Sequence, residues 1–326
     1  MAKYRTWAGS LLHPEQRFLP GLGARLGRWP KLSAAVLTAL RRLPTTLLRA
    51  GAYRHVAQPL ARRMTAELIV HAEGDVRVFA DMSRATGQAL ATAGLWEWNV
   101  GAAIRQTLRP GDVFVDVGAN AGYYTVLGAR IVRPGGHVYA LEPAPDTYGD
   151  LRRNVALNGL DDVVTALSAA AGAAEGRATL YGPAAGHDAT SSLRYGPEDA
   201  VATEVAVRPL HAVVAPTHRD RLRLVKIDVE GYEDDVLSGL ELLFEQAGRP
   251  AILVEVHAAY NADAPAFVAD FCERHRFRAR WLVEDRGLDD HLAPADRQLA
   301  LRDLGSPPDL STIPRNRYAL LLEPRP

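Results

Sequence analysis

The chain has 326 residues, 48% of them apolar and 23% charged, with 38 basic against 38 acidic side chains and one cysteine. That length suits one large domain or two modest ones, and the composition is that of a globular chain. The balanced charge gives no overall field to draw the protein to nucleic acid or an anionic membrane, and a lone Cys272 excludes an internal disulfide and suits a reducing compartment.

Residues 1–65 read as an N-terminal helical extension. Pro14, Glu15, Pro20 and Gly21 interrupt the apolar core a secretory signal needs. No stretch reaches the roughly 18 apolar residues of a membrane span, so the expected location is the cytoplasm. Residues 31–63 form short amphipathic patterns broken at Pro44 and Pro59, whose arginines make a solvated face. Residues 66–110 lead into the core. Two β-rich runs flank the turn signal Glu73-Gly74-Asp75, which predicts a hairpin, and "GLWEWNVGAAIRQTLRPGD" predicts a helix ending near Pro110-Gly111.

From 111 to 326 strand and helix patterns alternate. Strands are predicted at 113–117, 137–141, 163–169, 222–228, 251–257, 279–284 and 317–323. Helices are predicted at 122–133, 145–158, 232–246 and 263–275, the last holding Cys272 as a buried small hydrophobe. Such alternation implies a mostly parallel sheet covered on both faces. Residues 173–215 depart from it, with short β-like pieces around a polar stretch that contains His187, Asp188, Ser191 and Ser192.

The first strand ends in Asp116 and breaks into Gly118-Ala119-Asn120-Ala121-Gly122 before a helix begins. Ligands of open α/β sheets bind beyond the carboxyl ends of strands, and glycines let the backbone turn sharply and come close to a ligand. A dinucleotide fingerprint would need glycines where Asn120 and Tyr123 stand. A phosphate loop also needs a glycine at Tyr123. Asp116-x-Gly118-x-Asn120-x-Gly122 suits a ligand with a cationic amino group and no pyrophosphate, a description that S-adenosylmethionine fits. The second strand ends in Glu142, where a carboxylate can accept from both ribose hydroxyls.

The phrases "DVGANAGYYT", "LEP", "NVALNGL", "LVKIDVEGYE" and "ILVEVH", in that order between residues 116 and 257, resemble the FkbM family of S-adenosylmethionine-dependent methyltransferases, a resemblance that covers about residues 75–260. The resemblance implies a Rossmann-like seven-stranded methyltransferase sheet, mostly parallel with an antiparallel last strand, here behind an N-terminal helical and hairpin extension. It implies methyl transfer to oxygen, often on a sugar or a polyketide-like natural product. It puts Asp116, Gly118, Asn120 and Gly122 at the methionine end of the cofactor and Glu142 at the ribose. Ala169 and Ala170 fall near the adenine, and Asp228 falls between cofactor and acceptor.

A hydroxyl acceptor must lose its proton, which a positioned carboxylate or imidazole can take. "KIDVEGYE" supplies Lys226, Asp228, Glu230 and Glu233, and "VEVH" supplies Glu255 and His257. Residues i and i+2 of a strand share a face, so Lys226 points with Asp228 and Glu255 with His257. Asp228, His257 and Glu230 are the catalytic candidates, with cap formation an equal alternative for Glu230 and charge neutralisation a role for Lys226. Asp228, Glu255 and His257 also have metal-ligating chemistry, but their spacing is not that of a tight site and no metal is assigned. The competing readings are an N-methyltransferase acting on a small-molecule amine and a non-catalytic cofactor-binding protein. The expected partner is a small-molecule or glycan acceptor, with no nucleic acid and with homo-oligomerisation left open.

Overall fold

A computed structural model of the chain describes residues 35–37, 39, 60, 67–182, 191–194, 196, 200–283 and 299–325. The predicted helices before residue 65 lie almost wholly outside these, as do His187 and Asp188. The chain divides into two units, one running to Trp96 and one carrying everything described from Glu97 onward.

In the first unit, β1 (Glu67–His71) pairs antiparallel with β2 (Arg77–Asp81), as the sequence predicts. The turn between them spans Glu73–Asp75, with Gly74 at φ 73°. Leu68 and Val70 of β1 are buried while Ile69 between them is exposed, the alternation of a strand with one covered face. Helix α1 (Ala85–Ala93), which the sequence reading lacks, stops at Gly94 in the left-handed region.

The second unit opens with α2 (Trp98–Thr107). Its centre is a parallel run of β3 (Val113–Val117), β4 (His137–Leu141), β5 (Val164–Leu167), β9 (Leu222–Ile227) and β10 (Ala251–His257). At one side β13 (Arg317–Pro324) runs antiparallel between β10 and β11 (Phe277–Leu282). The short β12 (Leu301–Asp303) adds an edge beyond β11, giving the order β12-β11-β13-β10-β9-β3-β4-β5. All seven predicted strands are therefore represented, the last of them antiparallel, with an eighth at the edge. All five residues of β3 are buried, as expected of an apolar, β-branched strand with both faces covered.

Helices α3 (Tyr123–Val132), α4 (Pro145–Leu157), α6 (Glu233–Ala247) and α7 (Ala264–Arg274) follow β3, β4, β9 and β10. Pro145 opens α4, where its missing N–H costs nothing. Glu233, Asp234 and Asp235 open α6, where carboxylates meet the positive end of the helix dipole. Leu237 and Leu240 of α6, with Val268 and Phe271 of α7, pack against Val225, Ile227 and Val254 of the sheet. Cys272 lies in this core and burial pushes its thiol up to about 12, in keeping with its expected role as a small hydrophobe.

The predicted third strand is not continuous. It ends at Leu167 in the large sheet, and β6 (Ala170–Ala171) then joins a separate three-stranded sheet with β8 (Val201–Arg208) and β7 (Gly176–Gly182). Between β8 and β9 comes the single-turn α5 (Leu210–Val213). The excursion predicted at 173–215 is thus a small sheet of its own.

Candidate active site

The turn after β3 is shaped by how closely the strand ends approach. Gly118 sits at φ 71°, and a Cβ there would lie 1.8 Å from the main-chain oxygen of Asp228. Only glycine fits, because β3 and β9 are neighbours and Asp228 N–H donates to Val117 O at 3.1 Å. Gly122, at φ 87°, has the Leu151 side chain 2.6 Å from where its Cβ would be. Asn120 between them is itself left-handed at φ 50°, a conformation asparagine tolerates better than most residues. Its Oδ1 accepts from Ala121 N–H at 2.7 Å.

Glu142, at the end of β4, faces this turn. Its two carboxylate oxygens accept from the N–H groups of Asn120 and Ala144, each at 2.9 Å. The side chain is buried, and burial lifts its pKa to about 7 despite these two hydrogen bonds. A carboxylate has about four lone-pair sites, so two hydrogen bonds leave capacity for two ligand hydroxyls. The turn is also held from α4. Asn154 is fully buried and its Nδ2 donates to Ala121 O at 2.7 Å. The sequence reading assigned Asn154 no role, although "NVALNGL" carries it; a polar residue on the buried face of an amphipathic helix is the signal that would have found it.

Asp116 is closed to solvent. It accepts from Thr125 Oγ1 at 2.6 Å and lies 3.5 Å from Lys226 Nζ. The residue expected at the ligand is thus buried and touches Thr125 and Lys226 behind the turn. Lys226 Nζ is also 3.4 Å from Asp228 Oδ2 and lies over the Tyr124 ring, 5.4 Å from its centroid. Burial lowers the lysine's pKa, but the charges of Asp228 and Asp116 outweigh it and hold the group above its ordinary value. Lys226 thus neutralises carboxylates, as the sequence suggested. Asp228 is half-buried beside it, one residue past β9.

Glu230 and His257 come together. Glu230 is left-handed at φ 50°, and its Oε2 lies 3.2 Å from His257 Nε2. It does not cap α6; the Gly231 N–H is taken by Glu233 Oε1 at 2.9 Å. The same Glu233 oxygen lies 2.9 Å from His257 Nδ1. Burial lowers the pKa of His257, but the Glu233 hydrogen bond and the charges of Glu230 and Glu255 raise it to about 9. Burial raises the carboxyl of Glu230.

Glu255 is held by Arg317 through both oxygens, with Arg317 Nη2 also 3.2 Å from Glu97 Oε1. Among the described residues, Asp228, Glu255 and His257 can bring ligand atoms within 4.8 Å of one another. Arg317 and Lys226 already stand against the two carboxylates, so a divalent ion would have to compete with protein cations.

Ala169 and Ala170 are both buried. They lie where the chain leaves the large sheet, Ala170 opposite Val207 in the small one. Ser192 of the polar excursion is buried, and its Oγ donates to Glu230 O at 2.7 Å. Arg194 then bridges to Asp234 and Asp235 at the start of α6. These contacts bring the excursion onto the turn that carries Glu230.

A parallel sheet with a glycine turn after its first strand, an acidic end to its second and charged ends to its fourth and fifth is the arrangement of an α/β methyltransferase. A family model described as the Methyltransferase FkbM domain matches residues 116–279, about half of the chain, and the chain belongs to that family. It is 31% identical over 160 residues to 31-O-demethyl-FK506 methyltransferase FkbM of Streptomyces tacrolimicus, covering 41% of this chain and 61% of that one. It is 33% identical over 165 residues to a protein-L-isoaspartate O-methyltransferase of Aeropyrum pernix, covering 48% and 60%. The chain thus spans less than two thirds of either relative. Among solved structures, methyltransferase FkbM from Methylobacillus flagellatus KT aligns over 91% of this chain and 60% of its own, at 13% identity and a TM-score of 0.41. A SAM-dependent O-methyltransferase from Thermotoga maritima aligns over 71% and 66%, at 12% and 0.37.

Proposed function

We propose that this methyltransferase moves a methyl group from S-adenosylmethionine to a hydroxyl oxygen of a small molecule, of the sugar or natural-product class. The observation that carries the reading is the meeting of Asp228, Glu230 and His257 beyond β9 and β10, where Asp228 abuts Gly118. A carboxylate acceptor is already anionic and needs no base, whereas a hydroxyl must lose its proton, and these three groups can take one.

The residues present fit the cofactor. Glu142 keeps acceptor capacity for a ribose diol, and the half-buried Asp228 beside the turn offers a carboxylate to a cationic ligand. Bound there, S-adenosylmethionine supplies an already activated methyl group, so the protein's work is chiefly to position the acceptor. In this reading Gly118, Asn120 and Gly122 bring the backbone close to the methionine end. Asp116 acts from behind through Lys226, and Ala169 and Ala170 border the adenine. Asp228, Glu230 and His257 orient the acceptor and receive its proton. The name of the Streptomyces relative, an enzyme named for a 31-O-demethyl substrate, supports an oxygen acceptor.

The test is calorimetry with S-adenosylmethionine and NAD, followed by methyl-transfer assays over matched alcohol, amine and carboxylate acceptors. Binding of the first ligand alone and methylation of alcohols are expected. NAD binding, or methylation confined to amines, would overturn the reading.

A further inference from the structure

We propose that Glu233 is a positioning residue, which takes the Nδ1 hydrogen of His257 in a hydrogen bond and so leaves Nε2, on the Glu230 side of the ring, as the nitrogen that receives the acceptor's proton. The inference rests on the function proposed above and adds a residue to it.

The geometry around Glu233 is built for one task. Its side chain is wholly closed to solvent, and its Oε1 meets both the Gly231 N–H and His257 Nδ1 at 2.9 Å. That oxygen already accepts from the Gly231 N–H and has a second lone pair toward the ring, so the imidazole hydrogen that faces it is on Nδ1. In the neutral ring Nε2 is then the free acceptor, and the hydrogen bond made by the other nitrogen sets which is which. Nε2 is itself buried, and although it lies 3.2 Å from Glu230 Oε2 it has no aligned hydrogen bond.

The surroundings hold Glu233 in place. Gly231 sits at φ 101° with Tyr260 Cβ 2.8 Å from the position of a Cβ, and its carbonyl accepts from Asn261 Nδ2 at 3.2 Å. Tyr260 and Asn261 in turn donate their N–H groups to His257 O, both at 3.0 Å. The turn before α6 and the end of β10 therefore fix each other. The groups facing the imidazole are Glu233, Glu230, Glu255, Asp228 and Arg317, with the Tyr260 ring stacked 6.1 Å away. The carboxylates outnumber the one cation, so the site is arranged to stabilise the ring once it carries a second proton.

The step balances. As the acceptor oxygen bonds to the methyl carbon, its O–H bond breaks and the proton passes to Nε2. The carbon–sulfur bond breaks with its electron pair kept by sulfur, which becomes neutral. The imidazolium left behind has Glu233 on one nitrogen and Glu230 on the other.

The test is nitrogen NMR of protein labelled in its histidine rings, with His257→Gln identifying the signal, and it needs neither cofactor nor acceptor. In the wild type the ring should hold its hydrogen on Nδ1 when neutral and titrate well above an ordinary histidine. In Glu233→Gln the titration should fall by about one unit or more, the change expected when a charged hydrogen-bond partner is removed, and the two tautomers should mix. Glu233→Asp, which keeps the charge on a shorter arm, should lie between them and serves if the glutamine variant does not fold. A tautomer and titration unchanged in either folded variant would overturn the proposal. Calorimetry with S-adenosylmethionine on the wild type separates the two readings. Absent cofactor binding with the expected ring behaviour removes the proposed function and leaves the Glu233–His257 pair standing.

Discussion

Asp116 and Lys226 stand opposite each other on adjacent parallel strands, both buried, with their charged atoms 3.5 Å apart. Removing the cation leaves a carboxylate in a core where no water can replace it. Lys226→Met should lower stability by about 3–5 kcal/mol, the usual cost of breaking a buried pair, read as a shift in the urea midpoint. The double variant Asp116→Asn/Lys226→Met should be less destabilised than the sum of the singles. Strict additivity would show that Lys226 serves Asp228 instead.

If Glu142 holds the ribose, it links cofactor affinity to pH. Its pKa is raised to about 7, so the folded protein holds a proton there that the unfolded chain has lost, and the group's contribution to stability falls as pH rises from about 4.5 to about 7. Ribose hydroxyls need the ionised carboxylate, so affinity for S-adenosylmethionine should rise through the same window. Glu142→Ala should weaken binding by about 1–3 kcal/mol and flatten its pH dependence. Calorimetry at several pH values checks both, and a flat wild-type profile would move the ribose elsewhere.

Asn154 tests the turn from the opposite side. Asn154→Ala leaves Ala121 O without its buried donor and should cost about 1–3 kcal/mol in stability, with weaker cofactor binding because the glycine turn loosens. Asn154→Asp should be worse, since it replaces the donor by an acceptor. Full cofactor affinity in Asn154→Ala would show that the turn holds without α4.

Turnover should depend on His257 and Asp228 more than cofactor binding does. If either receives the acceptor proton, His257→Ala or Asp228→Asn should lower the rate by about 10²–10⁴ with the dissociation constant little changed. His257 is raised to about 9, so its neutral form, and with it the rate, should grow as pH rises toward that value. The stability this charge confers is full below about 6.5 and is lost as pH passes about 9. Near-wild-type turnover in both variants would remove the base assignment. Loss of activity with a chelator and recovery with Mg²⁺ would recast both residues as ligands.

Much of this was legible in the sequence because strands and helices write different periods. Seven of the eight strands of the large sheet follow from apolar runs, and Gly118 and Glu142 follow from where two of those runs stop. What the sequence could not carry depends on contacts across distant segments. The break between Leu167 and Ala170 is invisible in "VTALSAAA", since both halves are equally apolar. Glu230 and Glu233 look interchangeable beside Gly231; only the fold shows that Glu233 meets the Gly231 N–H and His257 Nδ1 while Glu230 lies by Nε2. Asp116 reads as a ligand residue because it closes a strand, yet Thr125 and Lys226 enclose it.

The departure of the chain from the large sheet at Leu167 has an evolutionary consequence. The glycine turn and Glu142 sit at the ends of parallel strands, while the residues linking β7 to β8 connect two strands of the small sheet. Lengthening such a link costs only about 0.6 kcal/mol per doubling in closure entropy, and loops on a rigid scaffold tolerate change well. If the proposed site is right, change in this one segment, next to Ser192 and Glu230, would alter the acceptor side and leave the turn after β3 untouched.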